Sequence, residues 1–218
     1  MKTAILFDLD GTLLDTLEDL RDSVNETMRH YGCPERSLGE IRSFLGSGAR
    51  HLIRESLPGE PEETFVDEAL AYYQKYYRAH SQIKTKPYDG ILEALEQLKD
   101  TFLVAVVSNK PDGAVKPLCK QYFGDVYARG EDANCPRKPA PDMVFQAMQA
   151  LGAERCIYVG DSEIDIQTAR NAGVPCLSVS WGFRDREELV EAGAKYMCDS
   201  PRDMVAMLHK IYGEVYGQ

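Results

Sequence analysis

No apolar run in this sequence approaches the length needed to span a bilayer. The first one, Ala4 to Phe7, is broken at once by Asp8 and Asp10, and a secretory signal needs a longer apolar region. Basic clusters are missing too. Acidic side chains outnumber basic ones 35 to 25, so the net charge is −10, and no run of Lys or Arg offers nucleic acid a local patch. The same charge repels a small anionic substrate at long range, so any phosphate site must be made attractive locally. None of the six cysteines forms a C-x-x-C pair, which argues against a disulfide framework or a zinc site and for reduced thiols. His30, His51, His80 and His209 suggest no ligand constellation. Repeats and low-complexity segments are absent. These absences point to a cytoplasmic protein with neither a nucleic-acid nor a membrane partner.

What is present fits one substantial core, or a main domain with a smaller appendage. Ala4–Phe7, Phe102–Val107, Cys156–Val159 and Cys176–Val179 are short apolar runs that do not alternate, as expected of strands buried on both faces. Helical spacing follows them. Ile91, Leu92, Leu95 and Leu98 form one apolar face; Val144, Met148 and Leu151 form another, with Pro141 suited to its first turn. Residues 164–172 read as a helix stopped by Gly173 and Pro175, and residues 187–191 and 202–211 as closing helices. Strands alternating with helices imply an α/β fold with a parallel sheet.

From about Asp15 to Lys84 that alternation stops. Leu17, Leu20, Val24, Met28 and Tyr31 recur at helical spacing, as do Phe65, Ala69, Tyr72, Tyr73, Tyr76 and Tyr77. The segment reads as a helical module inserted after the first strand, and its tyrosine stripe as helix–helix packing. The expected division is a core of residues 1–14 and 85–218, with an inserted helical domain of residues 15–84.

Polar residues fall at the ends of the apolar runs. Asp8 ends the first, Ser108 the second, followed by Asn109 and Lys110, and Gly160–Asp161 the third. Ligands of open parallel sheets bind at the carboxyl ends of the strands, so three strand ends deliver polar groups to one crevice. Asp8 and Asp10 are two residues apart, with Gly11 permitting a sharp turn. Carboxylates that close repel, and a divalent cation removes the conflict. Few protein oxygens, the rest water or phosphate, suit Mg2+. Asp161 supplies a further oxygen. Asp165 fits either that site or an S-x-x-D capping box with Ser162. Ser108 and Asn109 fit a helix cap or a phosphate site, two roles that are compatible. Lys138, between Arg137 and Pro139, is a candidate fixed charge on phosphate.

Residues 8–12 (DLDGT), Ser108, Lys138 and residues 160–165 (GDSEID) resemble, in order, the four signature motifs of the haloacid dehalogenase superfamily. The resemblance covers almost the whole chain. It implies a Rossmann-like parallel sheet core with an inserted helical cap. It further implies Asp8 as nucleophile and Mg2+ ligand. Asp10 is the general acid–base, with its main-chain carbonyl on the metal. Asp161 is a metal ligand and Asp165 a support of the metal site. Ser108 and Lys138 hold the phosphoryl group, with Thr12 and Asn109 as helpers. Dehalogenases generally lack the second aspartate, so Asp10 argues for a phosphatase.

Within the phosphatases the chain resembles phosphoglycolate phosphatases most, through residues 44–53 (FLGSGARHLI), 86–95 (KPYDGILEAL), 181–189 (WGFRDREEL) and 193–201 (GAKYMCDSP). Gly46 and Gly48 permit close backbone approach to a substrate, and Arg50 suits a substrate carboxylate. Spacing does not place Arg184. The expected partner is a small phosphorylated metabolite, 2-phosphoglycolate, met by a monomer or homodimer. A sugar-phosphate mutase, a pyrophosphatase or a nucleotidase would carry the same motifs. A phosphate-binding protein without turnover is the rival of another class, and the presence of both Asp8 and Asp10 argues against it.

Overall fold

The structure is a computed structural model that describes residues 1–217. The chain runs β1 (Thr3–Phe7), β2 (Leu14–Asp15), α1 (Leu17–His30), α2 (Leu38–Phe44), α3 (Ala49–Ser56), α4 (Glu63–His80), β3 (Lys86–Pro87), α5 (Ile91–Lys99), β4 (Leu103–Pro111), α6 (Asp112–Phe123), β5 (Tyr127–Glu131), α7 (Asp142–Leu151), β6 (Arg155–Gly160), α8 (Glu163–Ala172), β7 (Cys176–Val179), α9 (Arg186–Glu191), β8 (Tyr196–Cys198) and α10 (Pro201–Tyr216). It forms two compact units, one of residues 1–14 and 87–217, the other of residues 15–86. The two-residue strands β2 and β3 lie where the chain passes between them.

The larger unit is built on a six-stranded sheet of order β5-β4-β1-β6-β7-β8. Every pairing in it is parallel. After β1 the chain builds outward through β4 and β5, then returns to the other side of β1 for β6, β7 and β8. Strand β1 is therefore the topological switch point, where a doubly wound sheet opens a crevice at its carboxyl edge. Alternate residues face opposite layers, as the period of a strand requires. Ile5, Phe7, Val104, Val106, Ile157 and Val159 pack with α5, α6 and α10. Ala4, Leu6, Ala105, Val107, Cys156 and Tyr158 pack with α7 and α8. This is the Rossmann-like α/β fold. All six cysteines are free thiols. No helix of the described residues is long and apolar enough to cross a membrane.

The four apolar runs correspond to β1, β4, β6 and β7, but β5 and β8 carry no such signal. β5 (YARGE) has only Ala128 and Gly130 buried, and β8 has three residues. Both are edge strands, which have one neighbour and need no continuous apolar run. Strand β4 also runs on past the expected stop at Ser108. Its pairing with β5 shifts register between Val107 and Pro111, which sets Ser108, Asn109 and Lys110 in an irregular segment at the strand's end.

The helical unit buries Leu20, Val24 and Met28 on α1 and Val66, Ala69, Tyr73 and Tyr77 on α4. The tyrosine stripe divides its work. Tyr73 and Tyr77 stack inside the unit at 5.5 Å between ring centroids, while Tyr72 stacks on His30 and Tyr76 on His80, both at 3.9 Å. Asp19 ties the end of the unit to its first helix. It accepts hydrogen bonds from Ile83 N at 3.1 Å, Lys84 N at 3.0 Å and Thr85 N and Oγ1 at 2.8 Å each. Asp19 is only 2% exposed, so water cannot take its place at those amides. Asp19→Ala should therefore cost about 3 kcal/mol of folding free energy in a urea titration followed by far-UV circular dichroism. A loss under about 1 kcal/mol would mean that the 83–85 segment is held by other contacts.

Candidate active site

Three hydrogen-bonded turns bring the site together. Strand β1 ends at Phe7, and Asp8 N still donates to Val159 O of β6 at 2.9 Å. The chain then folds back, with Leu13 N and Leu14 N both donating to Leu9 O at 3.0 Å. Leu9, Leu13 and Leu14 are fully buried, so burial of apolar area holds the turn against the sheet. Gly11 sits at φ 85°, and a Cβ there would overlap the Asp161 carboxylate. Only glycine serves both the left-handed turn and the close approach.

Strand β6 ends in Gly160, and Asp161 follows, 1% exposed. Its Oδ1 accepts from Thr12 Oγ1 at 2.9 Å and its Oδ2 from Phe183 N at 2.7 Å. Helix α8 begins next with a reciprocal capping box between Ser162 and Asp165. Asp165 Oδ2 accepts from Ser162 N at 3.1 Å and Ser162 Oγ at 2.6 Å, while Oδ1 accepts from Lys138 Nζ at 2.8 Å. The capping reading of Asp165 holds, and the site reading is compatible with it, because one carboxylate oxygen serves the cap and the other faces Lys138.

Lys138 is the cation of this cluster, with its side chain 2% exposed. Its Nζ also lies 2.9 Å from Asp8 Oδ1, in ion-pair range but outside hydrogen-bond geometry, and that oxygen is buried and accepts no hydrogen bond. The Asn109 amide brackets the lysine backbone: Nδ2 donates to Lys138 O at 3.0 Å and Oδ1 accepts from Lys138 N at 2.7 Å. Asn109 and Thr12 are thus occupied in holding Lys138 and Asp161. Ser108 is buried just past Val106, the register partner of Phe7, so it lies beyond the last pair of β4 with β1, beside the Asp8 turn. The helix after it gets no side-chain cap: Pro111 holds the N-cap position of α6.

Oxygens of Asp8, Asp161 and Asp165 all lie within 4.8 Å of one another. Burial pushes the Asp8 carboxyl up to about 6; Lys138 opposes the rise, and the charges of Asp165 and Asp10 add to it. Burial, then Asp165 and Asp8, push Asp161 well above the usual carboxylate range. Burial alone would lower Lys138, but Asp165 and Asp8 hold it well above the ordinary lysine range. One lysine is thus set against three buried carboxylates. The excess negative charge and the orphaned Asp8 oxygen fit a hard divalent cation bound through oxygen.

Two features have partners that the sequence did not show. Lys110, at the end of β4, places Nζ 3.0 Å from both Asp10 oxygens. Nothing in the sequence pairs it with a residue 100 positions away. The segment 181–184 braces the carboxylates: Trp181 Nε1 donates to Thr12 O at 3.0 Å, Phe183 N binds Asp161, and Arg184 forks onto Glu163 through Nε at 2.8 Å and Nη2 at 2.9 Å. In the helical unit Gly46 and Gly48 have φ of 113° and 85°. Arg50, expected to suit a carboxylate ligand, is held by Glu63 at 2.7 Å and Asp67 at 3.0 Å.

A parallel sheet with acidic groups gathered at its switch point defines an α/β protein with a buried carboxylate site of a composition that fits a divalent cation. The family profile described as haloacid dehalogenase-like hydrolase matches residues 5–179. A phosphoglycolate phosphatase of Rhodobacter capsulatus is 37% identical over 191 residues, 84% of this chain and 87% of that protein. Phosphoglycolate phosphatase 1 of Pseudomonas aeruginosa is 32% identical over 212 residues, 92% of this chain and 78% of that protein. Among solved structures, a Lactobacillus delbrueckii subsp. bulgaricus protein assigned as a phosphoglycolate phosphatase superimposes with a TM-score of 0.85 at 36% identity, covering 94% of this chain and 99% of that one. The chain belongs to the haloacid dehalogenase-like hydrolase family.

The electrostatics carry a test. A carboxyl raised from 3.8 to about 6 by folding favours the folded state fully below the unfolded value, and that contribution is lost as pH rises through about 6. A divalent cation relieves the same repulsion, and below about 6 it must displace a proton to do so. At a hundred times its Kd, Mg2+ should raise Tm by roughly 5–10 °C at pH 7.5. At pH 5 the same Mg2+ concentration should give little shift by differential scanning fluorimetry. Equal shifts at both pH values would count against the carboxylates as the binding site.

Proposed function

We propose that this chain is a Mg2+-dependent phosphatase that hydrolyses 2-phosphoglycolate to glycolate and phosphate through an aspartyl-phosphate on Asp8. The observation that carries the chemistry is the buried cluster of Asp8, Asp161 and Asp165 around Lys138 at the switch point. The names of the curated relatives support a phosphoric monoester as substrate and 2-phosphoglycolate in particular.

In this reading Asp8 Oδ attacks phosphorus in line, and the bond to the leaving oxygen breaks as the bond to Asp8 forms. Asp10 gives its proton to the leaving oxygen. It then takes a proton from the water that attacks phosphorus and releases Asp8 with inorganic phosphate. Lys138 and Ser108 hold the phosphoryl oxygens, and Lys138 offsets the charge gathering there. The Asp8 and Asp161 carboxylates, with the Asp10 carbonyl, would hold the metal. Bound Mg2+ supplies positive charge to the phosphoryl group and lowers the repulsion that an anionic nucleophile meets. Asp165 supports from behind: it holds Lys138 and closes the start of α8. Thr12 and Asn109 act in the same indirect way, through Asp161 and Lys138. The helical unit of residues 15–86 corresponds to the inserted cap that the family resemblance implies. The chain acts on a small diffusible metabolite, as a monomer or homodimer in the cytoplasm.

Phosphate release from a panel of 2-phosphoglycolate, sugar phosphates, nucleotides and pyrophosphate tests the proposal. Release should be highest from 2-phosphoglycolate, and both chelator and Asp8→Asn should abolish it. Turnover that survives Asp8→Asn would end the nucleophile assignment, and a different preferred compound would end the substrate assignment. Asn109→Ala, which leaves the buried Lys138 N–H and C=O without their partner, should lower kcat by roughly 10–100-fold and cost about 1–3 kcal/mol of stability. An unchanged kcat would mean that the pair of hydrogen bonds to Lys138 is not needed to place its ammonium.

A further inference from the structure

We propose that Lys110 is the residue that selects a carboxylate-bearing phosphate ester, by binding the substrate carboxylate beside the leaving oxygen. This deepens the reading above and rests on it. Lys110 is 6% exposed, and its Nζ contacts both Asp10 oxygens at 3.0 Å. An ammonium this buried demands a counter-anion. The Asp10 side chain is the more open partner, 18% exposed against 4% for the lysine, so the anion that reaches this ammonium meets it from the Asp10 side.

Distances follow from the chemistry of the substrate. The group that protonates the leaving oxygen lies about 2.6–3.2 Å from it. In 2-phosphoglycolate one methylene separates that oxygen from the carboxylate, so the carboxylate oxygens sit roughly 3–4 Å from it. A cation 3.0 Å from both oxygens of Asp10 is therefore within reach of the substrate carboxylate. The two lysines then divide the substrate. Lys138, set against Asp8 and Asp165, faces the transferring phosphoryl group. Lys110, set against Asp10, faces the leaving group. Without such a charge a protein of net charge −10 repels a second anionic group on its substrate. Arg50 pairs with Glu63 and Asp67 through Nη2.

The alternative is that Lys110 only orients Asp10. The experiment separates the two by comparing 2-phosphoglycolate with ethyl phosphate, which has the same ester but a methyl group in place of the carboxylate. The readout is the ratio of kcat/KM for the two compounds in the Mg2+-loaded full chain. In Lys110→Gln the ratio should fall roughly tenfold or more, chiefly through KM for 2-phosphoglycolate, and Lys110→Arg should recover most of it. If both compounds lose rate in proportion and the ratio stays within about twofold of wild type, the inference is overturned and Lys110 serves Asp10 alone. Should Lys110→Gln be too slow to assay, calorimetric binding of both compounds to Asp8→Asn and to Asp8→Asn/Lys110→Gln gives the same comparison. A selective loss of 2-phosphoglycolate affinity supports the inference, and an equal loss overturns it. A wild-type enzyme with no preference for 2-phosphoglycolate over ethyl phosphate would instead overturn the substrate reading, and this inference with it.

Discussion

The buried charge of Lys138 is the constraint around which the larger unit is arranged. An ammonium 2% exposed is costly unless its partners are close and fixed, and here both are carboxylates, Asp8 and Asp165. The sheet supplies the closeness, because β1 and β6 are paired neighbours whose carboxyl ends carry Asp8 and Asp161. The fixity comes from the Asn109 bracket and from the capping box that anchors Asp165. The balance is incomplete, since one cation faces three buried acids; burial drives the Asp8 carboxyl upward against Lys138, and the charges of Asp165 and Asp10 add to the rise. The site thus carries a standing demand for more positive charge.

Much of the constellation holds other residues in place. Thr12, Phe183 and Trp181 fix the turn after β1 and the carboxylate after β6. Gly182 fits so closely that a Cβ would overlap Gly11 O and Asp161. Supporting contacts of this kind lock the rotamers of the groups proposed to react, and a site left to looser packing would lose orientation. They also give the 181–184 segment a physical purpose, as a brace on the acidic cluster. Asp10 stands apart from this network: it is the most open of the site's acids and is paired with a lysine of its own.

Much of the fold was legible because its signals are local. Ala4–Phe7 and Cys156–Val159 are continuous apolar runs, and central parallel strands need them; β5 and β8, at the edges, do not, and left none. The S-x-x-D pattern at Ser162 is a local signal too, and the capping box is there. The candidate site was legible in Asp8 and Asp161, because each follows the end of a run. The partners of those acids were not. Thr12 to Asp161 spans 149 residues, and Lys110 to Asp10 spans 100. The ion pairs of Arg50 Nη2 with Glu63 and Asp67, on a different helix, were not legible in the sequence either.

The sequence by itself determined where strands would end in acidic residues, where the alternation of strand and helix would break, and which motif set the chain carries. Periodicity and residue type fix such things, and both act over a few positions. Only the tertiary structure decided which carboxylate each cation would neutralise and which polar side chains would be spent on support. Those assignments depend on distances between segments far apart in the chain. The order of the strands sets these distances, and burial then makes each pairing obligatory by removing the water that would otherwise substitute for a partner.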